Sequence, residues 1–155
     1  MSSRLADIGR AETDADILAC FDVLHELRPQ LRRDDFPATI RAMAESDDYH
    51  LARARAEGRV VAVAGYRFAT FLAWGPTLYV DDLVTAEVAR SRGYGRSMLV
   101  WLEQEADRHG CARLHLDSGV WRKDAHRFYE RENFEKTAYH YMKDLDTTEN
   151  QGGGR

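Results

Sequence analysis

Apolar residues recur along most of the chain at spacings typical of short amphipathic elements. Helical spacing predicts two early helices, at 13–28 and at about 34–46. Apolar or alternating runs predict four strands after them, at about 49–54, 59–68, 71–74 and 78–84. The remaining pattern predicts a strongly amphipathic helix ending near 108, a strand at 112–117, a helix at about 122–132 and a last strand at about 134–142.

This order of elements predicts an α/β protein of the mixed α+β type, in which helices pack on a mixed sheet. The length of 155 residues suits one domain and is short for two. We expect a single domain at 4–145, followed by a disordered tail at 146–155 that is polar and rich in glycine.

Charge and hydropathy exclude several classes of protein. The chain has 22 Lys+Arg and 26 Asp+Glu, a formal net charge of −4, whereas a dedicated nucleic-acid-binding domain usually carries an excess of basic residues. No apolar run approaches the roughly 18 residues that span a bilayer. The first residues also lack the apolar stretch of a signal peptide. We therefore expect a cytoplasmic protein that binds neither nucleic acid nor membrane.

The cysteines and histidines do not form a recognisable ligand pattern. Cys20 and Cys111 lie far apart and belong to no CxxC or Cys/His cluster, so we expect small core-type residues rather than a disulfide. The six histidines show no HExxH or similar spacing. We expect no metal site.

The segment with the most chemical information is a short loop between a predicted strand and the strongly amphipathic helix. A helix start leaves backbone N–H groups unpaired and carries a partial positive charge, which suits phosphate. Gly93 and Gly95 let the main chain approach a ligand closely, and Arg90, Arg92 and Arg96 add cations. Met98 breaks a GxGxxG pattern, and no GxxxxGK[ST] occurs. On these residues alone, an ordinary strand-to-helix turn is an equal alternative.

Two motifs together resemble the GNAT superfamily of N-acetyltransferases, over nearly the whole chain. Residues 90–95 fit its [Q/R]-x-x-G-x-[G/A] motif, and residues 125–134 resemble its A-x-x-F-Y-x-x-x-G-F segment. Asn133 stands where the family usually has glycine, and asparagine tolerates the left-handed conformation best among the other residues. Arg122 stands where many members place an asparagine that touches the cofactor, so that contact departs from the family pattern.

The resemblance implies a mostly antiparallel mixed sheet of about six to seven strands, with helices on both faces and a splay between the fourth and fifth strands. It also implies that acetyl-CoA binds in this gap as co-substrate, with no metal. The implied cofactor-binding residues are Leu83, Val84, Thr85, Arg90, Ser91, Arg92, Gly93, Tyr94, Gly95, Arg96, Arg122 and Phe128.

The activity implied by the resemblance is direct acetyl transfer to a primary amine, either of a small molecule or of a lysine or N-terminus. Tyr129 matches the tyrosine that protonates the leaving sulfur, and a phenol with a free pKa of about 10 stays protonated at neutral pH. Tyr129 could instead simply pack beside Phe128. Asp81 matches an acidic position that acts as base through water, while Asp82, a water chain and an anchoring role stay open. Strand neighbours point to opposite faces, so only one aspartate should face the acceptor.

Two other functions remain compatible with the sequence. The first is an acyl-CoA-binding module of the same fold that senses its ligand without turnover. The second is a phosphate- or nucleic-acid-binding protein that uses Arg90, Arg92 and Arg96. The acceptor amine is set by loops whose shape is not encoded in a readable pattern. A homodimer is a further expectation, because dimers are common in the superfamily.

Overall fold

The computed structural model describes residues 6–145. The predicted tail at 146–155, and residues 4 and 5 of the predicted domain, lie outside the described residues. The chain divides into two compact units, one up to Asp117 and the other from Ser118 onward. The single domain at 4–145 stays a prediction.

The first unit contains one sheet with helices on both faces. Its elements are β1 (Asp7–Arg10), α1 (Asp14–Ala19), α2 (Phe21–Leu27), α3 (Phe36–Asp47), β2 (Tyr49–Ala56), β3 (Arg59–Phe71), β4 (Gly75–Thr85), α4 (Tyr94–Arg108) and β5 (Arg113–Leu116). One-turn 3-10 helices lie at Arg33–Asp35 and Glu87–Ala89. The strands follow the order β1-β2-β3-β4-β5, antiparallel except for the parallel β4–β5 pair. The expected mixed, mostly antiparallel sheet is confirmed, but within residues 6–145 it has five strands rather than the expected six to seven.

Three boundaries differ from the expectation. The four residues of β1 were not predicted, and the stretch at 71–74 is the end of β3 and a turn rather than a separate strand. The helix predicted at 13–28 divides at Cys20, whose N–H bonds to the Ile17 carbonyl three residues back while its thiol bonds to the Asp16 carbonyl. Thr13 caps the first part, accepting from the Asp16 N–H at 3.1 Å.

Side-chain alternation along β3 separates the two faces of the sheet. Tyr66 is fully buried and donates to Glu105 of α4 on one face. Its neighbours Gly65 and Arg67 therefore lie on the opposite face, beside the end of α2. The largest fully buried side chains are Tyr66, Phe36, Leu78, Met98, Leu99 and Leu102.

A β-bulge interrupts the pairing of β3 with β4. Gly65 lies opposite Asp82 and Tyr66 lies opposite Val80, so Asp81 is the extra residue of the bulged strand. A bulge re-aims the side chains beside it. Its consequence here is that two successive aspartates no longer have to face opposite sides of the sheet.

The second unit, as far as it is described, contains one helix, α5 (Lys123–Arg131). Asn133 follows it with φ 69°, which confirms the left-handed conformation expected there. The strand predicted at 134–142 is wrong: residues 134–145 have neither helix nor strand, and 135–145 are exposed. Alternation supplies the side chains of a strand, but a strand also requires backbone hydrogen bonds to a neighbour.

Candidate active site

Strands β4 and β5 separate after four paired residues. Their parallel register runs from Thr77 opposite Arg113 to Val80 opposite Leu116, where β5 ends. β4 continues five residues further, to Thr85, paired with β3. Within residues 6–117, the β5 side of this continuation has no strand, so half of its backbone N–H and C=O groups face an open edge. This is the expected splay between the fourth and fifth strands, and Leu83, Val84 and Thr85 form its edge.

The loop after β4 ends at the start of α4. Gly93 immediately precedes the helix with φ +84°, a conformation that favours glycine, and Ser91 has φ +64°. In the described part of the chain, no side chain caps this helix start, and the first intrahelical N–H bond is donated by Ser97 to the Gly93 carbonyl. The preceding amides of the first turn are therefore available to an anion. Arg90, Arg92 and Arg96 are exposed around the same turn.

The two aspartates of the β4 bulge are held by arginines on one face of the sheet. Asp81 accepts from Arg67, with Nε–Oδ1 and Nε–Oδ2 distances of 3.1 and 3.0 Å. Asp82 accepts from Arg28 Nε at 2.8 Å and from the Tyr49 hydroxyl at 2.8 Å. Arg28 also donates to the Asp81 carbonyl. The expectation that only one aspartate faces this side is wrong, because it assumed an unbulged strand.

Glycine at position 65 makes this arrangement sterically possible. A Cβ built there would overlap the Tyr49 phenol and lie 2.8 Å from Asp82 Oδ2. Tyr49 is itself buried, so its ring has no room to retreat. Burial raises the pKa of the Tyr49 phenol, and the Asp82 charge adds to the rise, so the hydroxyl remains a hydrogen-bond donor to Asp82.

A third carboxylate, which was not predicted from the sequence, lies at the point where β4 and β5 separate. Tyr79 pairs with His115, and its hydroxyl donates to Asp117, two residues further along. Burial raises the pKa of Tyr79, and the hydrogen bond to Asp117 raises it further. Asp117 is exposed and directly follows β5. The sequence signal that could have identified Asp117 is its position. It follows Leu116, the last apolar residue of the strand, and continues the alternating polar positions Arg113 and His115.

The candidate acid lies in the second unit, on α5. Tyr129 is buried, and its ring meets the Phe134 ring edge-on at a centroid distance of 5.7 Å. Burial raises the pKa of the Tyr129 phenol, and the nearby Arg122 guanidinium offsets part of that rise. The phenol is therefore protonated at neutral pH. Arg122 and Phe128 are partly exposed on the same segment.

Across residues 6–145, no group of three or more His, Cys, Asp or Glu side chains is close enough to share a metal ion. None of the helices described is long and apolar enough to cross a bilayer.

Comparison with known proteins gives consistent matches. A model of the acetyltransferase (GNAT) family matches residues 16–134. The chain is similar to the uncharacterized N-acetyltransferase YhdJ of Bacillus subtilis, with 30% identity over 124 residues that cover 79% of this chain and 87% of YhdJ. It is also similar to the aminoalkylphosphonate N-acetyltransferase of Salmonella typhimurium, with 29% identity over 129 residues that cover 83% of this chain and 81% of that enzyme.

Solved structures resemble the fold over almost its whole length. The aminoglycoside N-acetyltransferase AAC(6')-Iy, solved in complex with CoA, matches with a TM-score of 0.78 at 13% identity. The match covers 95% of this chain and 100% of that one. At this identity the likeness establishes the fold.

Proposed function

The chain belongs to the acetyltransferase (GNAT) family, and we propose that it transfers the acetyl group of acetyl-CoA directly to a primary amine. The acceptor is a small molecule or a lysine or N-terminal amine. The observation that carries the proposal is the open edge of β4 continuing into the uncapped start of α4. Two relatives named as N-acetyltransferases support amine as the acceptor class, one of them for aminoalkylphosphonates.

The residues of this strand and loop fit a nucleotide-bearing thioester. An extended amide-containing arm can pair with the backbone of Leu83, Val84 and Thr85 as an added strand would. Its pyrophosphate suits the first-turn amides of α4, with Arg90, Arg92 and Arg96 as counter-charges. We assign the contacts to Leu83, Val84, Thr85, Arg90, Ser91, Arg92, Gly93, Tyr94, Gly95, Arg96, Arg122 and Phe128.

The chemistry needs an acid and a base in addition to the thioester that acetyl-CoA supplies. Tyr129 holds a proton for the departing sulfur, and its raised pKa keeps that proton in place at neutral pH. Arg122 beside the phenol stabilises the phenolate left behind. Asp81 accepts the proton of the acceptor amine through a water molecule, while Arg67 fixes the orientation of its carboxylate.

The proposal is tested by incubating the protein with acetyl-CoA and a panel of primary amines and measuring thiol release. Tyr129→Phe should lower kcat by about 100-fold, the lower end of the range for general acid–base catalysis. The matched control is Tyr141→Phe, an exposed tyrosine of the same unit, which should keep the wild-type rate.

The results distinguish a wrong assignment of the acid from a protein that binds acyl-CoA without turnover. Full activity in Tyr129→Phe would remove Tyr129 as the acid while leaving the transferase in place. Tight acetyl-CoA binding by calorimetry, with no release on any amine, would replace the enzyme by a non-catalytic acyl-CoA-binding module.

A further inference from the structure

The bulge of β4 leaves one residue outside the strand pairing on both sides. The register with β3 pairs Val80 and then Asp82, which skips Asp81. The register with β5 ends at Val80, opposite Leu116, so the described strands give Asp81 no partner there either. A residue outside the ladder must be held by groups other than the strands beside it. Asp81 is also the residue whose carboxylate is the proposed base.

The guanidinium of Arg28 contacts both residues of the bulge. Its Nη2 donates to the Asp81 carbonyl at 3.1 Å, and its Nε donates to Asp82 Oδ1 at 2.8 Å. Because two nitrogens of one planar group are used, the rigid fork constrains where the carbonyl of one residue lies relative to the carboxylate of the next. A lysine ammonium is a point charge without such a fork.

Arg28 reaches the bulge from a fixed position at the end of α2. Its N–H donates to the Leu24 carbonyl at 2.9 Å, and its carbonyl accepts from the Leu31 N–H at 3.1 Å. Leu24 is buried, so the backbone that carries Arg28 is attached to the packed part of the helix. The side chain of its partner Asp82 is only 14% exposed. The pair is therefore less screened by water than an ion pair on the open surface.

Asp81 is thereby held at two points by two arginines. Arg67 donates to its carboxylate, which fixes the direction of the side chain but not the peptide that carries it. From this arrangement we infer that Arg28 is a positioning residue: it holds the bulged peptide so that the Asp81 carboxylate lies where it accepts the proton of the amine. The inference rests on the proposed function, in which Asp81 is the base.

The first experiment separates the fork of Arg28 from its charge. With saturating acetyl-CoA and the primary amine that the wild-type enzyme uses best, Arg28→Gln and Arg28→Lys should each lower kcat about tenfold, the scale of one hydrogen bond to a charged group. Arg28→Lys retains a cation beside Asp82, so its Tm should stay within about 3 °C of wild type. The matched control is Arg32→Gln, an exposed arginine of the loop after α2, which should keep the wild-type kcat.

The Michaelis constants give a second readout. KM for acetyl-CoA should change less than twofold in both Arg28 variants, because residues 83–85 of the open edge stay paired with β3. A loss that appears in kcat and not in this KM is expected of a residue that acts through the base. A residue that only supports the fold would alter both constants together.

A double-mutant cycle identifies the residue through which Arg28 acts. In the Asp81→Asn background, Arg28→Gln should lower kcat less than twofold, because the carboxylate that it positions is already absent. Its effect on Tm should be similar in both backgrounds, since the contact with Asp82 is present in each. If Arg28→Gln does not fold, Arg28→Lys replaces it in the cycle.

Four results would overturn the inference. Unchanged kcat in both Arg28 variants would do so while wild-type turnover left the proposed function intact. Full kcat in Arg28→Lys, with a loss in Arg28→Gln, would assign the effect to charge alone. An equal fold loss with and without the Asp81 carboxylate would assign it to the fold. Wild-type kcat in Asp81→Asn would remove the base on which Arg28 is inferred to act. Absence of turnover by the wild-type protein with every amine would overturn the proposed function and this inference together.

Discussion

Two charged clusters lie on opposite faces of the same sheet. They contain the same kinds of group but differ in how exposed their carboxylates are to solvent. The inner cluster consists of Glu105 with Arg10, Arg108 and Tyr66, at donor–acceptor distances of 2.8, 2.5 and 3.1 Å. The Glu105 side chain is only 7% exposed. All of its donors converge on one buried group, so we interpret this cluster as part of the structural core.

The bulge cluster consists of Asp81, Asp82, Arg28, Arg67 and Tyr49. It also pairs guanidinium, phenol and carboxylate groups, but the side chains of its carboxylates, Asp82 and Asp81, are 14% and 21% exposed, against 7% for Glu105. It lies where β4 leaves β5, next to the open edge. The two clusters contain the same kinds of group, so what favours the bulge cluster as part of the site is the open strand edge beside it.

The largest expected effect comes from breaking the inner cluster. Glu105→Gln removes the charge that both arginines share, and we expect a loss of about 3 to 4 kcal/mol in the free energy of unfolding, because the neutral amide weakens charge-assisted hydrogen bonds from Arg10 and Arg108 as well as the bond from Tyr66. Urea denaturation measures this loss. The Michaelis constants of the folded fraction should stay at wild-type values, and a selective change in them would contradict a purely structural role.

The inner cluster should also make the free energy of unfolding sensitive to acid. Burial by itself would raise the pKa of Glu105, but hydrogen bonds from Arg10 and Arg108 outweigh it and bring the pKa from 4.5 to about 2. A carboxylate with a depressed folded-state pKa stabilises the fold above its unfolded pKa, and this contribution is lost as pH falls from about 4.5 to about 2. The difference in unfolding free energy between wild type and Glu105→Gln should therefore shrink across this window. A constant difference would contradict the pKa shift.

A smaller effect should follow from crowding the bulge cluster. Gly65→Ala places a methyl group against the Tyr49 phenol and Asp82, and overpacking of this kind costs about 2 to 3 kcal/mol. The matched control is Gly93→Ala, where no atom lies within 4 Å of the new Cβ and only the positive φ is strained, at about 1 kcal/mol. Thermal unfolding of the two variants measures which of them loses more stability, and we expect the larger loss in Gly65→Ala. An equal loss in both would mean that Tyr49 can move aside.

The parts of the fold that depend on residues close together in the sequence could be predicted from the sequence. The left-handed positions at Gly93 and Asn133 follow from local turn chemistry, and α4 follows from its apolar stripe. The bulge at Asp81 was not accessible, because it is a property of the register between β3 and β4 rather than of either strand. β1 was missed for a related reason: with Ile8 as its one strongly apolar residue, it becomes a strand only through its pairing with β2.

The residues of the candidate site also differ in whether they are close together in the sequence. The phosphate-binding loop is a contiguous motif, so its residues were identified together. Arg28, Arg67 and Asp117 are separated from one another in sequence and come together only through the sheet and the end of α2. Single charged residues at such positions are indistinguishable in sequence from a solvated surface, so pattern alone could not single them out.

The smallest expected effect should follow from replacing one phenol in each cluster. The two variants test directly whether the bulge cluster serves activity and the inner cluster serves only the fold. Tyr49→Phe removes the 2.8 Å hydrogen bond to Asp82, and Tyr66→Phe removes the 3.1 Å hydrogen bond to Glu105. Each should cost about 1 to 1.5 kcal/mol of unfolding free energy, the scale of a hydrogen bond to a charged acceptor that keeps its other partners. Their effects on activity should differ: Tyr49→Phe releases one side of the bulge and should lower kcat with the best amine about threefold, whereas Tyr66→Phe should keep the wild-type kcat. Equal kcat values at equal stability would mean that the bulge cluster, like the inner one, serves the fold alone.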